Sequence, residues 1–150
     1  MPVADLVYLD TSALIKRYVP EHDSDRFDAY FADRADTAIS RLTYVEVRST
    51  LARKRREGRL NAEQENAAMR ELDTDIQYRA LSVRPMSDTD FVDAYHLIEE
   101  FPELPLRTLD ALHLCVARAM GASEVATADD VMRRVGERLG LKITYFGNPL

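Results

Sequence analysis

Four acidic residues stand where their carboxylates could share one metal ion: Asp10, Glu46, Asp110 and Asp129. Asp10 ends the apolar run LVYLD, Asp110 interrupts the apolar segment TLDALHLCVARAM, and Asp129 closes SEVATAD. A carboxylate in apolar surroundings is costly unless it is paired or bound to a cation. The four residues therefore predict one divalent-metal site assembled from distant segments.

Oxygen ligands without a cysteine or histidine cluster suit Mg²⁺ or Mn²⁺ rather than zinc. Without a cation, four neighbouring carboxylates would repel one another and some would take up protons. With a cation, such a site can polarise a phosphoryl oxygen and lower the pKa of a water molecule. Phosphodiester hydrolysis is the reaction that fits this arrangement best. The sequence leaves open whether one ion or two would bind.

Each acidic residue also has a purely structural interpretation. Asp10 is of a favoured type for capping the helix that follows it. Asp110 lies in a first helical turn, where the helix dipole favours acids. Glu46 could be an exposed helical residue paired with Arg53 or another cation, and Asp129 competes with Asp130 for the cap of the next helix.

The elements that would position these residues alternate along the chain. Strands are predicted at 5–10, 37–40, 124–127 and 142–146, with a strand or extended connector at 80–83. Helices are predicted at 11–19, 24–34, 41–57, 61–77, 87–100, 108–120 and 129–139. This alternation predicts an α/β fold with a mostly parallel sheet. Asp10 and Asp129 then follow strands at the edge where open parallel sheets bind ligands, and Glu46 and Asp110 lie on helices that lean over that edge.

Length and composition limit the class of protein. The 150 residues predict a single domain over 1–150. Hydrophobic residues make up 46% and charged residues 31%, which is typical of a soluble globular protein. No apolar run approaches the ~18 residues of a transmembrane helix. Cys115 is the only cysteine, so we expect a buried thiol and a reducing, cytoplasmic location.

The distribution of charge allows two interpretations. A formal net charge of −6 argues against nucleic-acid binding, which usually shows a basic footprint. Six cations nevertheless crowd into one segment: Arg48, Arg53, Lys54, Arg55, Arg56 and Arg59. They are either a solvated helix end or a surface that contacts a phosphate backbone beside the acidic residues. Lys16 and Arg17 are predicted to be surface charges.

Four segments together resemble the PIN domain, and more narrowly the VapC-type toxins of bacterial and archaeal toxin–antitoxin modules. The segments are YLDTSALIKRYVPE (8–21), LTYVEVRSTLAR (42–53), TLDALHLCVA (108–117) and VATADDVM (125–132). Each motif alone is a weak signal, and the four in this order are a strong one. The stretch 61–104 fits the family only in length and helical character.

The resemblance implies a three-layer α/β/α sandwich and an Mg²⁺-dependent endoribonuclease in which Mn²⁺ substitutes. Asp10, Glu46, Asp110 and Asp129 match the four family carboxylates, so they are predicted to be both catalytic residues and metal ligands. VapC-like proteins are typically homodimers that bind a cognate antitoxin and cut structured RNA, often tRNA or ribosomal RNA. These properties are expectations for this chain.

Further polar residues are candidates for supporting roles. Ser12 and Thr127 match small polar family positions and are predicted to orient Asp10 or a water molecule by hydrogen bonds. Arg107 is a candidate contact for RNA phosphate, or else a structural ion pair. His113 is interpreted as a core histidine with satisfied hydrogen bonds rather than as a metal ligand or a hydrogen-bond partner of one.

Two other functions stay open. Phosphotransferases of the haloacid-dehalogenase kind also place an aspartate after their first strand, but they carry a second aspartate two positions later, where this chain has Ser12. The other alternative is a non-catalytic RNA-binding or partner-binding module on a PIN-like scaffold. Cleavage of RNA by the pure protein, abolished by a chelator, would separate binding from catalysis.

Overall fold

The computed structural model describes residues 5–149, in which five strands and seven helices alternate. Their bounds are β1 (Val7–Leu9), α1 (Thr11–Tyr18), α2 (Ser24–Ala32), β2 (Thr37–Ser40), α3 (Arg41–Arg56), α4 (Ala62–Gln77), β3 (Ser82–Arg84), α5 (Asp88–Glu100), α6 (Thr108–Ala119), β4 (Glu124–Thr127), α7 (Asp130–Arg138) and β5 (Lys142–Tyr145). The predicted elements are all present. The uncertain segment at 80–83 is a strand shifted by about one residue toward the C-terminus.

All neighbouring strands are parallel, and their order is β3-β2-β1-β4-β5. Alternate side chains of β1 point to opposite faces of the sheet. Val7 and Leu9 join the core formed with α1 to α4, whereas Tyr8 packs with residues of α6 on the other face. Helices therefore cover both faces, and the predicted α/β/α sandwich is confirmed.

Local sequence signals begin and end the helices that carry the site. The side chain of Ser40 accepts a hydrogen bond from the backbone N–H of Thr43, which caps α3 as predicted. Gly58 and Gly121 follow α3 and α6 with φ values of 73° and 74°. Glycine adopts this left-handed backbone without the steric cost that other residues incur, so it ends both helices. None of the helices within 5–149 is long and apolar enough to cross a membrane.

The prediction that Lys16 and Arg17 are surface charges is wrong for Lys16, which is buried. Arg17 is partly buried and donates from Nε and Nη2 to the carboxylate of buried Asp75, at 2.7 and 2.9 Å. The Tyr18 hydroxyl donates to the same carboxylate at 2.7 Å. Hydrogen bonding to Asp75 raises the pKa of Arg17. The Arg17–Asp75 pair joins α1 to α4.

We expect Asp75→Ala to lower the free energy of unfolding by about 3 kcal/mol, because it leaves a partly buried guanidinium and a buried hydroxyl without their acceptor. Asp73→Ala is the matched control, since Asp73 lies on the same helix and is exposed. Urea unfolding followed by circular dichroism measures both variants. Equal stability of the two would contradict a structural role for the Arg17–Asp75 pair.

Candidate active site

A cavity of ≈390 Å³ is lined by all four acidic residues singled out in the sequence. Asp10 follows β1 and Asp129 follows β4, and these neighbouring strands end at the same edge of the sheet. Glu46 comes from α3 and Asp110 from the first turn of α6. We call this cavity the acidic pocket. The structure thus brings the four carboxylates to one place, while their role as metal ligands stays a prediction.

Asp10 directs its carboxylate into the acidic pocket instead of capping α1. Although it occupies the N-cap position, its side chain makes no capping hydrogen bond. Its Oδ2 accepts hydrogen bonds from Ser12 Oγ at 2.5 Å and from Thr127 Oγ1 at 2.9 Å. The hydroxyls of Ser12 and Thr127 in turn accept the backbone N–H groups of Ala128 and Asp129. Two hydrogen bonds therefore hold this buried carboxylate, and two more hold the hydroxyls that donate them.

His113 lies in the wall of the acidic pocket and contacts two of the carboxylates. Its imidazole is almost completely buried, and Nδ1 lies 2.6 Å from the Tyr8 hydroxyl. Nε2 is hydrogen bonded to Glu46 Oε1 and lies 3.4 Å from Asp10 Oδ1. Burial lowers the pKa of His113, but Tyr8, Asp10 and Glu46 together outweigh burial and raise this pKa well above its ordinary value.

The sequence interpretation of His113 was therefore incomplete. The residue is buried and has hydrogen-bonded partners, as expected, but two of those partners are pocket carboxylates. The available signal was its type: a histidine in an apolar helix must find polar partners, and it lies three residues after Asp110. The identity of the partners depends on segments more than 60 positions away, because Glu46 is separated from it by 67 residues.

Glu46 is not paired with Arg53, which lies closest to Glu57 at 3.9 Å. Besides His113, its partner is the Thr11 hydroxyl, which donates to Glu46 Oε1 at 3.1 Å. The side chain is one-quarter exposed, at 25%. Glu46 is thus held by hydrogen bonds to Thr11 and His113, and its side chain remains accessible from the cavity.

Asp110 and Asp129 face the exposed side chain of Arg107. The distances are 3.6 Å from Arg107 Nε to Asp110 Oδ2 and 4.0 Å from Arg107 Nη2 to Asp129 Oδ2. Burial, followed by repulsion from Asp129, raises the pKa of Asp110. Asp129 also caps α7, because its Oδ1 accepts the Met132 N–H at 2.8 Å. Asp130 instead pairs with Arg133, so Asp129 is the residue of the two that lines the pocket.

The donor set fits a hard divalent cation, because carboxylate oxygens dominate the pocket and no cysteine lines it. Burial is the largest cause of the raised pKa of Asp110, and the repulsion from Asp129 that adds to it is of the kind that a bound cation relieves. Among residues 5–149, however, no three acidic, histidine or cysteine side chains already stand close enough to hold an ion. Arg107 and His113 supply the positive charge between the carboxylates in this structure.

The cations of the segment 48–59 lie in two kinds of place. Arg53 and Lys54 line the acidic pocket, and the ammonium of buried Lys54 lies 2.8 Å from Glu21 Oε1. Arg55 and Arg56 are exposed and do not line this pocket. Part of the segment is therefore a solvated helix end, and part stands beside the carboxylates.

The fold and the pocket define a parallel α/β domain with an acidic site beyond its strand ends. The profile of the PIN domain matches residues 7–138, and the chain belongs to the PIN domain family. It is 31% identical over 143 residues to Ribonuclease VapC46 of Mycobacterium tuberculosis, covering 91% of this chain and 95% of that protein. The resemblance to VapC-type proteins is thereby confirmed.

Solved structures share the fold. VapC20 of M. tuberculosis, described as a sarcin–ricin loop cleaving toxin, has a TM-score of 0.70 at 16% identity, covering 87% of this chain and 95% of that chain. A member of the VapBC family of toxin–antitoxin systems, VapBC-5 from the same organism, has a TM-score of 0.65 at 17% identity, covering 94% and 98%.

In metal-free protein, we expect Glu46→Gln to lower the pKa of His113, because the variant removes an anion that favours the imidazolium. NMR titration of ¹⁵N-labelled histidines measures this pKa, with exposed His22 and His96 as references in the same spectrum. Glu63→Gln, an exposed substitution on α4, serves as the control and should leave the His113 titration unchanged. An unchanged pKa in Glu46→Gln would contradict the observed contact.

Proposed function

We propose that this chain is an Mg²⁺-dependent endoribonuclease that acts as the toxin of a toxin–antitoxin pair. The observation that carries the proposal is the gathering of Asp10, Glu46, Asp110 and Asp129 around one cavity at the carboxyl edge of the sheet. Membership of the PIN family and the likeness to Ribonuclease VapC46 support the nuclease class. Mn²⁺ is expected to substitute for Mg²⁺, since both prefer oxygen ligands.

The four carboxylates are the residues that would hold the ion, which supplies charge neutralisation at the phosphate and a more acidic water molecule. Ser12 and Thr127 keep the Asp10 carboxylate in one orientation. His113 restrains Glu46 from the protein interior. Arg107, at 79% side-chain exposure, stands at the rim, where its guanidinium can bind a phosphate oxygen of RNA. Hydrolysis in this scheme needs no histidine or ribose nucleophile.

The same proposal includes the partners of the chain. An antitoxin partner is supported by the VapBC toxin–antitoxin structure that shares this fold, and structured RNA such as tRNA or ribosomal RNA is the proposed substrate. We propose a cytoplasmic homodimer. Four exposed apolar side chains of α5 offer such a dimer a surface to bury: Phe91, Val92, Tyr95 and Ile98. A non-catalytic module with this fold would bind RNA or a partner without cutting RNA.

Asp10→Asn and Asp110→Asn are each expected to reduce RNA cleavage about 10²-fold or more, the scale on which loss of one preorganised electrostatic group acts. Initial rates on a labelled RNA hairpin in Mg²⁺, with a chelator control, measure the effect. Asp130→Asn is the matched control, because Asp130 adjoins the site in sequence but pairs with Arg133. Full activity in Asp10→Asn or Asp110→Asn, or cleavage that persists in chelator, would reject the proposal.

Metal binding has a readout that does not need activity. At a Mg²⁺ or Mn²⁺ concentration of 100 Kd, the ion is expected to stabilise the wild type by about 2.7 kcal/mol, and Asp10→Asn should lose most of this stabilisation. In chelator, Asp110→Asn should melt no lower than the wild type, because the substitution removes the repulsion from Asp129. Calorimetry tests both statements. A melting temperature of the wild type that is the same with and without either ion would contradict the metal site.

A further inference from the structure

A second cavity of ≈470 Å³ adjoins the acidic pocket. The two cavities share a wall that includes Lys16, Glu21, Arg53 and Lys54. Carboxylates and cations both line the acidic pocket, whereas cations predominate in the second cavity. It is lined by those three cations and Arg59, with Glu21 as its one carboxylate among the described residues. We call it the basic cavity.

Two of its cations are buried and share one anion. Lys54 Nζ lies 2.8 Å from Glu21 Oε1, and Lys16 Nζ lies 3.5 Å from Glu21 Oε2 while donating to the His22 carbonyl at 2.6 Å. The side chains of Lys16 and Lys54 are only 6% and 4% exposed. The two ammonium groups share one carboxylate, so this group of three side chains carries one excess positive charge. An excess positive charge in a largely buried position favours an incoming anion.

The other two cations stand at the rim. Arg53 and Arg59 are both 58% exposed, and within 5–149 the carboxylate in ion-pair range of either is Glu57, at 3.9 and 3.6 Å. Glu57 is itself 47% exposed, so these pairs contribute little in water. Both guanidinium groups can therefore exchange Glu57 for an anion from solution.

We propose that the basic cavity binds a backbone phosphate of the RNA substrate, next along the strand from the phosphate in the acidic pocket. The identity of the polymer rests on the proposed function, and the position rests on the shared wall. A phosphodiester chain presents anions at regular intervals, and cations that contact them position the strand without reading its bases. The basic cavity is thus a subsite that holds the substrate beside the cleavage site.

The test uses Arg59→Ala and Arg53→Ala, singly and together, and leaves the buried lysines intact because their pairs with Glu21 are part of the wall. Arg55→Ala is the matched control: it removes the same charge from the same segment, but Arg55 is exposed and lines neither cavity. Fluorescence anisotropy of labelled ten-nucleotide oligouridylate and oligoadenylate is measured in chelator over a range of KCl concentrations.

Each rim variant is expected to weaken RNA binding about 5-fold, equally for both sequences, and to reduce the salt slope by about 0.7 per arginine removed. Arg55→Ala should stay within about twofold of the wild type. Binding in chelator separates this inference from the proposed function. A chain that binds RNA through Arg59 but does not cut it in Mg²⁺ supports the subsite and rejects the nuclease.

Two results would overturn the subsite. One is that Arg53→Ala and Arg59→Ala bind RNA with the same affinity and the same salt slope as Arg55→Ala. The other is a decaglutamate peptide that binds through Arg59 at least as tightly as the oligonucleotides, because the basic cavity would then be a docking site for an acidic protein segment.

Discussion

The repulsion among carboxylates gathered at one edge of the sheet is the constraint on which the rest of this structure depends. Asp10 and Asp110 are buried there, where unpaired anions are costly. The fold offsets the cost with donors from distant segments. Ser12 and Thr127 bind Asp10, His113 lies between Asp10 and Glu46, and Arg107 lies near Asp110 and Asp129. Burial, and after it repulsion from Asp129, still raises the pKa of Asp110, so these donors do not fully offset the cost of its charge.

The sheet order explains why such distant residues meet. Because β1 lies between β2 and β4, the strand that ends at Asp10 has neighbours that lead into α3 and α7. The backbone N–H of Asp10 donates to the Ala126 carbonyl at 3.0 Å, which fixes the position of Asp10 relative to the end of β4. Tyr8, two residues earlier, points to the opposite face from Leu9 and reaches Ser40, Thr43 and His113. Strand β1 therefore positions both Asp10, which lines the acidic pocket, and Tyr8, which is hydrogen bonded to His113.

Local patterns sufficed to predict most of this architecture. The strands at 37–40 and 124–127 are predicted to the residue, since β-branched and apolar residues between turn signals specify them. Asp10, Asp110 and Asp129 stand out in apolar surroundings, whereas the choice of Glu46 and of Asp129 over Asp130 also rested on the resemblance to the PIN domain. Lys16 was not predicted correctly, because its burial depends on the turn of the chain after Pro20. This turn lets its ammonium group donate to the His22 carbonyl and brings the Glu21 carboxylate within ion-pair range. Likewise, no local pattern could assign Tyr8 and Glu46 to His113, because these contacts form only when the strands assemble.

The turn at 20–22 also determines where the buried lysines lie relative to the acidic pocket. Glu21 lies in the walls of both cavities and holds Lys16 and Lys54 near the carboxylates of the acidic pocket. A chain with a net charge of −6 repels a polyanion on average. Salt, however, screens interactions between charges that are more than about 8–10 Å apart. The charges close to the contact therefore determine whether the polyanion binds. Cations placed beside the acidic pocket, rather than spread over the surface, can therefore attract a phosphate backbone to the one edge of the sheet where the carboxylates lie.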